Sequence, residues 1–270
     1  ALQQGMQQIQ QPDGSTQPVI AMTGVDISYE RRDWLTRLRR KASAPPTVSN
    51  MHITLYKGET LALVGESGSG KSTLRRSIAG LKPPRNGTII FDDFDLTLAV
   101  HGRPMEIRKR IQVIFQNPDA SLNPSHTVRA LLERPLRLYF KLTSAQREQR
   151  LQSLLERVRL SPHYLDRLPE QLSGGEKQRV AIARAFASEP EVVLCDEVTS
   201  ALDVSVQAAV LDLLAELQRL HHVTYLFITH DLTVVHAIAS RVAVLYQGRL
   251  CEVGSVTQVY TPPLHPYTET

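Results

Sequence analysis

The chain has 270 residues, 42% hydrophobic and 21% charged, with 14 glycines and 16 prolines. That composition fits one large folded domain or two small ones, and it excludes collagen-like, mucin-like and wholly disordered readings. The net charge of +4 comes from 31 cations against 27 anions, a mixed surface rather than a nucleic-acid stripe.

No apolar stretch approaches the roughly 20 residues of a membrane-spanning helix, and the start lacks a secretory pattern. Cys195 and Cys251 have neither CxxC spacing nor metal-site neighbours, which favours a reduced, cytosolic setting with two unreactive thiols. The start at Ala1 and the polar end at Thr270 fit a piece of a longer chain.

Residues 1–18 are rich in Gln, Gly, Ser and Pro and read as a linker or disordered lead. Residues 19–29 mix apolar and polar positions as a strand does. The run 31–41, RRDWLTRLRRK, is a basic insertion around Trp34, either solvated or in contact with lipid headgroups or a partner loop. Pro45 and Pro46 close it. Strands are expected at 51–55 and 60–64, then a helix from near Gly70 to Leu81, and β-rich runs at 88–91 and 111–115. Between 127 and 168 the period turns helical, with Leu131, Leu132, Leu136, Leu151, Leu154 and Leu155 recurring at 3–4 spacing. Helices at 176–187, 206–220 and 232–239 alternate with strands at 191–195 and 224–229. Runs 242–246 and 249–253 read as a hairpin across Gln247-Gly248. The alternation predicts an α/β fold with a parallel sheet and an all-helical insertion.

The segment Gly65-Glu66-Ser67-Gly68-Ser69-Gly70-Lys71-Ser72-Thr73 follows an apolar strand and opens a helix. It matches G-x-x-x-x-G-K-[ST] in the required context. Its glycines let successive N–H groups face one concavity, and the helix start adds its positive end, which suits β- and γ-phosphates. Lys71 supplies a mobile cation and Ser72 a hydroxyl ligand for Mg²⁺. The strand 191–195 ends in Asp196-Glu197, at the edge where open α/β sheets bind ligands. Asp196 can hold Mg²⁺ through water. Glu197, expected to face the other way along the strand, can engage a water near the γ-phosphate.

Further segments resemble the ATP-binding cassette (ABC) ATPases. Leu172-Ser173-Gly174-Gly175-Glu176 is similar to the LSGGQ signature, with Glu176 where Gln is commonest. Ser200-Ala201-Leu202-Asp203 resembles the D-loop, His230 the switch histidine and Gln116 the Q-loop glutamine. Tyr29 sits where the family stacks an aromatic on adenine. The motifs follow family order from Tyr29 to His230, and Val198 stands where Pro is usual after Glu197.

The resemblance implies a P-loop NTPase with a RecA-like parallel core, an antiparallel β edge and an inserted helical subdomain. It divides the chain into a nucleotide-binding core at 19–116 and 173–254, a helical subdomain at 117–172 and a tail at 255–270. It implies an ATPase using ATP and Mg²⁺. Glu197, His230, Lys71 and Gln116 would be catalytic, with Ser72, Gln116 and Asp196 on the metal side. It further implies a head-to-tail dimer in which each ATP lies between Lys71 of one subunit and Ser173, Gly174 and Gly175 of the other, with Asp203 at the same interface.

The run 117–128 (NPDASLNPSHTV), the basic insertion and Leu264-His265-Pro266-Tyr267-Thr268 are similar to the oligopeptide, dipeptide and nickel importer ATPases. That likeness implies import of peptides, or alternatively of nickel or another small solute. The partners would be a second ATPase subunit or half, two membrane-spanning permease subunits and, indirectly, a solute-binding protein. The location would be the cytoplasmic face of the cell membrane. A soluble ABC ATPase acting on nucleic acid or ribosomes is a competing class. It is disfavoured by the absence of a long heptad stretch or cysteine cluster, and no nucleic-acid partner is expected. An exporter fragment would expect fused membrane helices upstream.

Overall fold

A computed structural model describes residues 17–28 and 46–261. Tyr29, the basic run 31–41, the first sixteen residues and the segment 264–268 lie outside the described residues.

Two sheets form the body. Strands β1 (Pro18–Ile27), β2 (Val48–Tyr56), β4 (Asn86–Phe91) and β5 (Phe94–Asp95) make an antiparallel sheet in the order β2-β1-β4-β5. The other sheet contains β3 (Thr60–Val64), β6 (Ile111–Ile114), β7 (Val192–Asp196), β8 (Thr224–Ile228), β9 (Arg241–Tyr246) and β10 (Arg249–Ser255), in the order β10-β9-β3-β8-β7-β6. Every pair in it is parallel except β9 with β10.

The residue pattern explains the difference. Strand β2 alternates buried and open positions, as a strand covered mainly on one face does. Strands β3 and β8 are buried at all five positions, because both faces of the parallel sheet are covered. In β7, Val193 and Cys195 join the cluster under the helical insertion, while Val192 and Leu194 join the cluster between the two sheets.

The helices are α1 (Lys71–Ile78), α2 (Met105–Arg110), α3 (Pro118–Ser121), α4 (Val128–Tyr139), α5 (Ser144–Arg157), α6 (Gly174–Phe186), α7 (Val204–His221), α8 (Leu232–Ile238) and α9 (Val256–Val259). Between β6 and β7 the described chain is wholly helical or irregular. Leu131, Leu132 and Leu136 of α4 and Leu151, Leu154 and Leu155 of α5 pack with Val180 and Ile182 of α6. Helix α6 thus carries the insertion onto the sheet. The short β5, α2, α3 and α9 escape a periodicity reading because each is too brief to show a repeat. Val259 of α9 packs with Ala62, Val64 and Val244.

Two arginines fasten the sheets together. Arg241 of β9 donates from Nη1 to Glu59 Oε1 and Oε2 at 3.0 and 3.1 Å and to Thr54 O of β2 at 3.2 Å. Arg110, at the end of α2, pairs with Asp92 beside β4 and, at 2.7 Å, with Glu191 before β7.

Candidate active site

Strands β3, β8, β7 and β6 are neighbours and run parallel, so the segments after them open on one edge of the sheet. That topology gathers the Gly65–Thr73 loop, His230, Asp196-Glu197 and Gln116.

The loop after β3 turns through Gly65, Gly68 and Gly70 at φ of +143°, +83° and +108°, backbone that side chains resist. A Cβ on Gly65 would lie 2.0 Å from Leu245 O, so strand β9 leaves room for glycine alone. The loop is also tied from outside: Gly248 N donates to Ser69 O at 2.9 Å, and Ser49 N to Gly248 O at 2.8 Å. Gln247 and Gly248 both have positive φ, as a type I′ hairpin turn requires. Lys71 Nζ lies in the concavity, donating to Gly65 O at 2.7 Å and Glu66 O at 2.8 Å. Burial lowers its pKa while Glu197 and Asp196 raise it. Glu66, Ser67, Gly68 and Ser72 are exposed, whereas Ser69, Gly70 and Thr73 are buried.

Asp196 ends β7. Burial raises its carboxyl pKa, and Arg75 opposes this through an ion pair of 2.8 Å from Nη2 to Oδ2. Arg75 lies one turn beyond Lys71 on α1, with its guanidinium 5.3 Å from the Phe115 ring centroid. The sequence reading missed Arg75. Its available signal was the i+4 spacing from Lys71, which places both cations on one helix face.

Glu197 does not continue the strand. Its φ of +46° takes it into the left-handed region, and its N–H donates to Ile228 O at 2.9 Å. The expected strand alternation therefore fails at this residue, and a turn sets the direction of its side chain instead. Gln116 Nε2 donates to Glu197 Oε2 at 2.9 Å and approaches Ser200 Oγ at 3.3 Å. His230 Nδ1 lies 3.4 Å from Glu197 Oε1. Gln116 and His230, from two other loops, thus meet on the Glu197 carboxylate, and Ser200 secures the same residue by its Oγ donating to the backbone carbonyl Glu197 O at 3.0 Å. Val198 is buried in the core cluster, so packing secures the turn that follows.

Ser173 is the N-cap of α6. Its Oγ accepts from Glu176 N at 3.3 Å, and its N–H donates to Glu176 Oε2 at 2.7 Å, a capping box. Gly174 and Gly175 form the first turn, and a Cβ on Gly175 would meet Val206 Cγ1 at 2.7 Å. Asp203 caps α7, accepting from Val206 N at 2.9 Å, and the hydrogen bonds it accepts lower its pKa.

A sequence profile described as "ABC transporter" matches residues 48–200, more than half of the chain. The chain belongs to the ABC transporter family. Among curated ABC proteins it is 44% identical over 232 residues to the oligopeptide transport ATP-binding protein AppF of Bacillus subtilis, covering 86% of this chain and 70% of AppF. It is 45% identical over 228 residues to the oligopeptide transport ATP-binding protein OppF of the same organism, covering 82% of this chain and 73% of OppF. The glutathione import ATP-binding protein GsiA of Salmonella typhimurium is 43% identical over 253 residues, but this chain spans only 40% of its length. Among solved structures, cbiO1 of Clostridium perfringens superimposes with a TM-score of 0.77 at 27% identity over 90% of this chain and 91% of its own. The ATP-binding cassette MJ0796, a dimer bound to ADP and Pi, gives 0.75 at 28% identity over 88% and 98%.

The loop of this ABC ATPase suits the phosphates of a nucleotide, since its backbone is curled, walled by β9 and furnished with Lys71. Ser72 and Asp196 offer the hard oxygen donors that Mg²⁺ prefers. Among the described residues no helix is long and apolar enough to cross a membrane.

Proposed function

We propose that this chain is the ATP-hydrolysing subunit of a binding-protein-dependent peptide importer. It would work as one half of a head-to-tail ATP sandwich beneath two permease subunits, on the cytoplasmic face of the membrane. The observation that carries the reading is the convergence of Gln116, His230 and Ser200 on Glu197, beside Asp196. The oligopeptide and glutathione named for its relatives support a peptide cargo. The core at 19–116 and 173–254 would bind nucleotide, and the helical subdomain at 117–172 would carry the signature to the partner, leaving 1–18 as a lead and 255–270 as a tail.

In this reading Gly65, Glu66, Ser67, Gly68, Ser69, Gly70 and Thr73 supply the phosphate cradle, and Lys71 moves from its carbonyl partners to the β- and γ-phosphates. Ser72, Asp196 and Gln116 would hold Mg²⁺, whose chemistry there is to neutralise phosphate charge. Glu197 orients and polarises the attacking water, a task of positioning and charge. Gln116 and His230 hold its two carboxylate oxygens in place, and His230 also reaches toward the γ-phosphate. Ser173, Gly174 and Gly175 of the partner, with Asp203 nearby, close the other side, and Tyr29 stacks on adenine.

Glu197→Gln keeps the shape and loses the charge. Phosphate release should fall on the order of 10²-fold or more while nucleotide binding persists, as for loss of general-base assistance. The variant should accumulate as an ATP-bound dimer, read by sizing with and without Mg-ATP. Near-normal phosphate release would remove Glu197 from this role.

A further inference from the structure

The signature of this chain carries a carboxylate, Glu176, three residues into a helix start read here as a site for phosphate. An unrestrained carboxylate at that place would compete with phosphate for the same amides, because both seek the positive helix end. The structure shows what restrains it. Tyr164, in the single-turn helix Pro162–Asp166, donates its hydroxyl proton to Glu176 Oε1. The other oxygen, Oε2, accepts the Ser173 N–H at 2.7 Å. Both carboxylate oxygens are therefore engaged, one by the insertion and one by the N-cap.

The Tyr164 ring is itself fixed. It packs against the core cluster of the insertion, and the Arg167 guanidinium lies 4.2 Å from its centroid. Ser173 Oγ accepts the Glu176 N–H at 3.3 Å.

We propose that Tyr164 is a positioning residue for the anion site at the start of α6. It holds Glu176 in the capping box, so that the carboxylate engages Ser173 and stays off the amides that follow. The Gly174 and Gly175 amides remain for a phosphate oxygen of the nucleotide on the facing subunit. The inference rests on the sandwich reading above. Hydrogen bonding from Tyr164 is also the largest influence lowering the Glu176 pKa, with the Ser173 amide next.

The test uses the full chain carrying Glu197→Gln, with and without Tyr164→Phe. Two quantities are read: affinity of the monomer for a fluorescent ATP analogue, and the Mg-ATP concentration giving half-maximal dimer by sedimentation. Phe keeps the ring and removes the hydroxyl. The expected result is unchanged monomer affinity and a rise of about ten-fold in the Mg-ATP needed for dimer, the size expected for losing a hydrogen bond to a charged group. Adding Glu176→Gln should restore the parent value to within about two-fold, because the amide oxygen still caps Ser173 and no charge is left to compete. A shift below about two-fold overturns the proposal. So does an equal loss of monomer affinity, or a failure of Glu176→Gln to rescue, since either marks Tyr164 as a support of the fold alone. If the Glu197→Gln parent itself forms no dimer with Mg-ATP, the sandwich reading fails first and takes this inference with it.

Discussion

Arg75 shows how much one side chain can settle at this site. It is 4% exposed and paired with an Asp196 side chain that is 13% exposed, so the pair is largely out of water. Removing one member of such a pair strands the other. Arg75→Met should destabilise the fold by about 3 kcal/mol, the lower end of the cost of breaking a buried pair. Urea unfolding of the variant measures this, and adding Asp196→Asn should recover part of the loss. An Arg75→Met protein as stable as the parent would mean that Asp196 finds another cation. Arg76 and Lys71 both act on its charge, so they are the groups to inspect. The phosphate loop and Asp196-Glu197 stood out in the sequence because each follows a readable apolar strand, whereas Gln116 and His230 were singled out only by the family resemblance. Arg75 and Ser200 were not legible as site residues. Their roles depend on which strand ends are neighbours, and strand order is not written in a local motif.

At the level of elements, the antiparallel sheet has its own electrostatic joint. Asp26 of β1 accepts from Asn50 N of β2 at 2.8 Å and from Asn86 Nδ2 of β4 at 2.9 Å, spanning three strands. These bonds lower its pKa, the Asn86 contact most, against a small opposing effect of burial. A depressed carboxylate stabilises the fold above its unfolded pKa, about 3.9, and loses that contribution as pH falls through the folded value. Asp26→Asn should therefore be less stable than the parent at pH 7. The gap should close as pH drops below about 4, as read by urea unfolding at several pH values. A gap that is constant with pH would assign the effect to shape rather than charge. The helical period expected between 127 and 168 holds in α4 and α5, which carry the leucines at 3–4 spacing, and α6 and α7 lie close to the helices expected at 176–187 and 206–220; the caps of α5, α6 and α7 by Thr143, Ser173 and Asp203 are additions from the structure. Strands β3, β7 and β8 read as unbroken apolar runs because both their faces are covered.

For the whole molecule, the division of labour is between a sheet edge that gathers chemistry and a helical insertion that presents α6. Neither sheet is independent of the other: Arg241 and Arg110 bridge them, and Ile20, Met51, Leu61, Phe91 and Leu226 fill the space between. The strand–helix alternation predicted the parallel sheet and the inserted helices, and the antiparallel layer was expected only from the family resemblance. Neither predicted that the parallel sheet's own hairpin would brace the phosphate loop, since Ser69 and Gly248 are far apart in the chain.

That brace sets a limit on how the gene can vary. Exposed hairpin tips ordinarily accept extra residues at little cost, and Gln247 is an exposed tip residue. Here the adjacent Gly248 amide holds Ser69 O and a Gly248 Cβ would sit 2.2 Å from Thr47 O, so the tip is wedged between two other segments. Two glycines spliced between Gln247 and Gly248 should leave the far-ultraviolet circular dichroism intact yet weaken nucleotide affinity by about ten-fold, the worth of one well-placed hydrogen bond and the lost rigidity around it. Titration with a fluorescent ATP analogue gives the number, and unchanged affinity would mean the loop keeps its shape unaided. Length variation among relatives should accordingly be scarce at this turn and be displaced to tips that touch nothing.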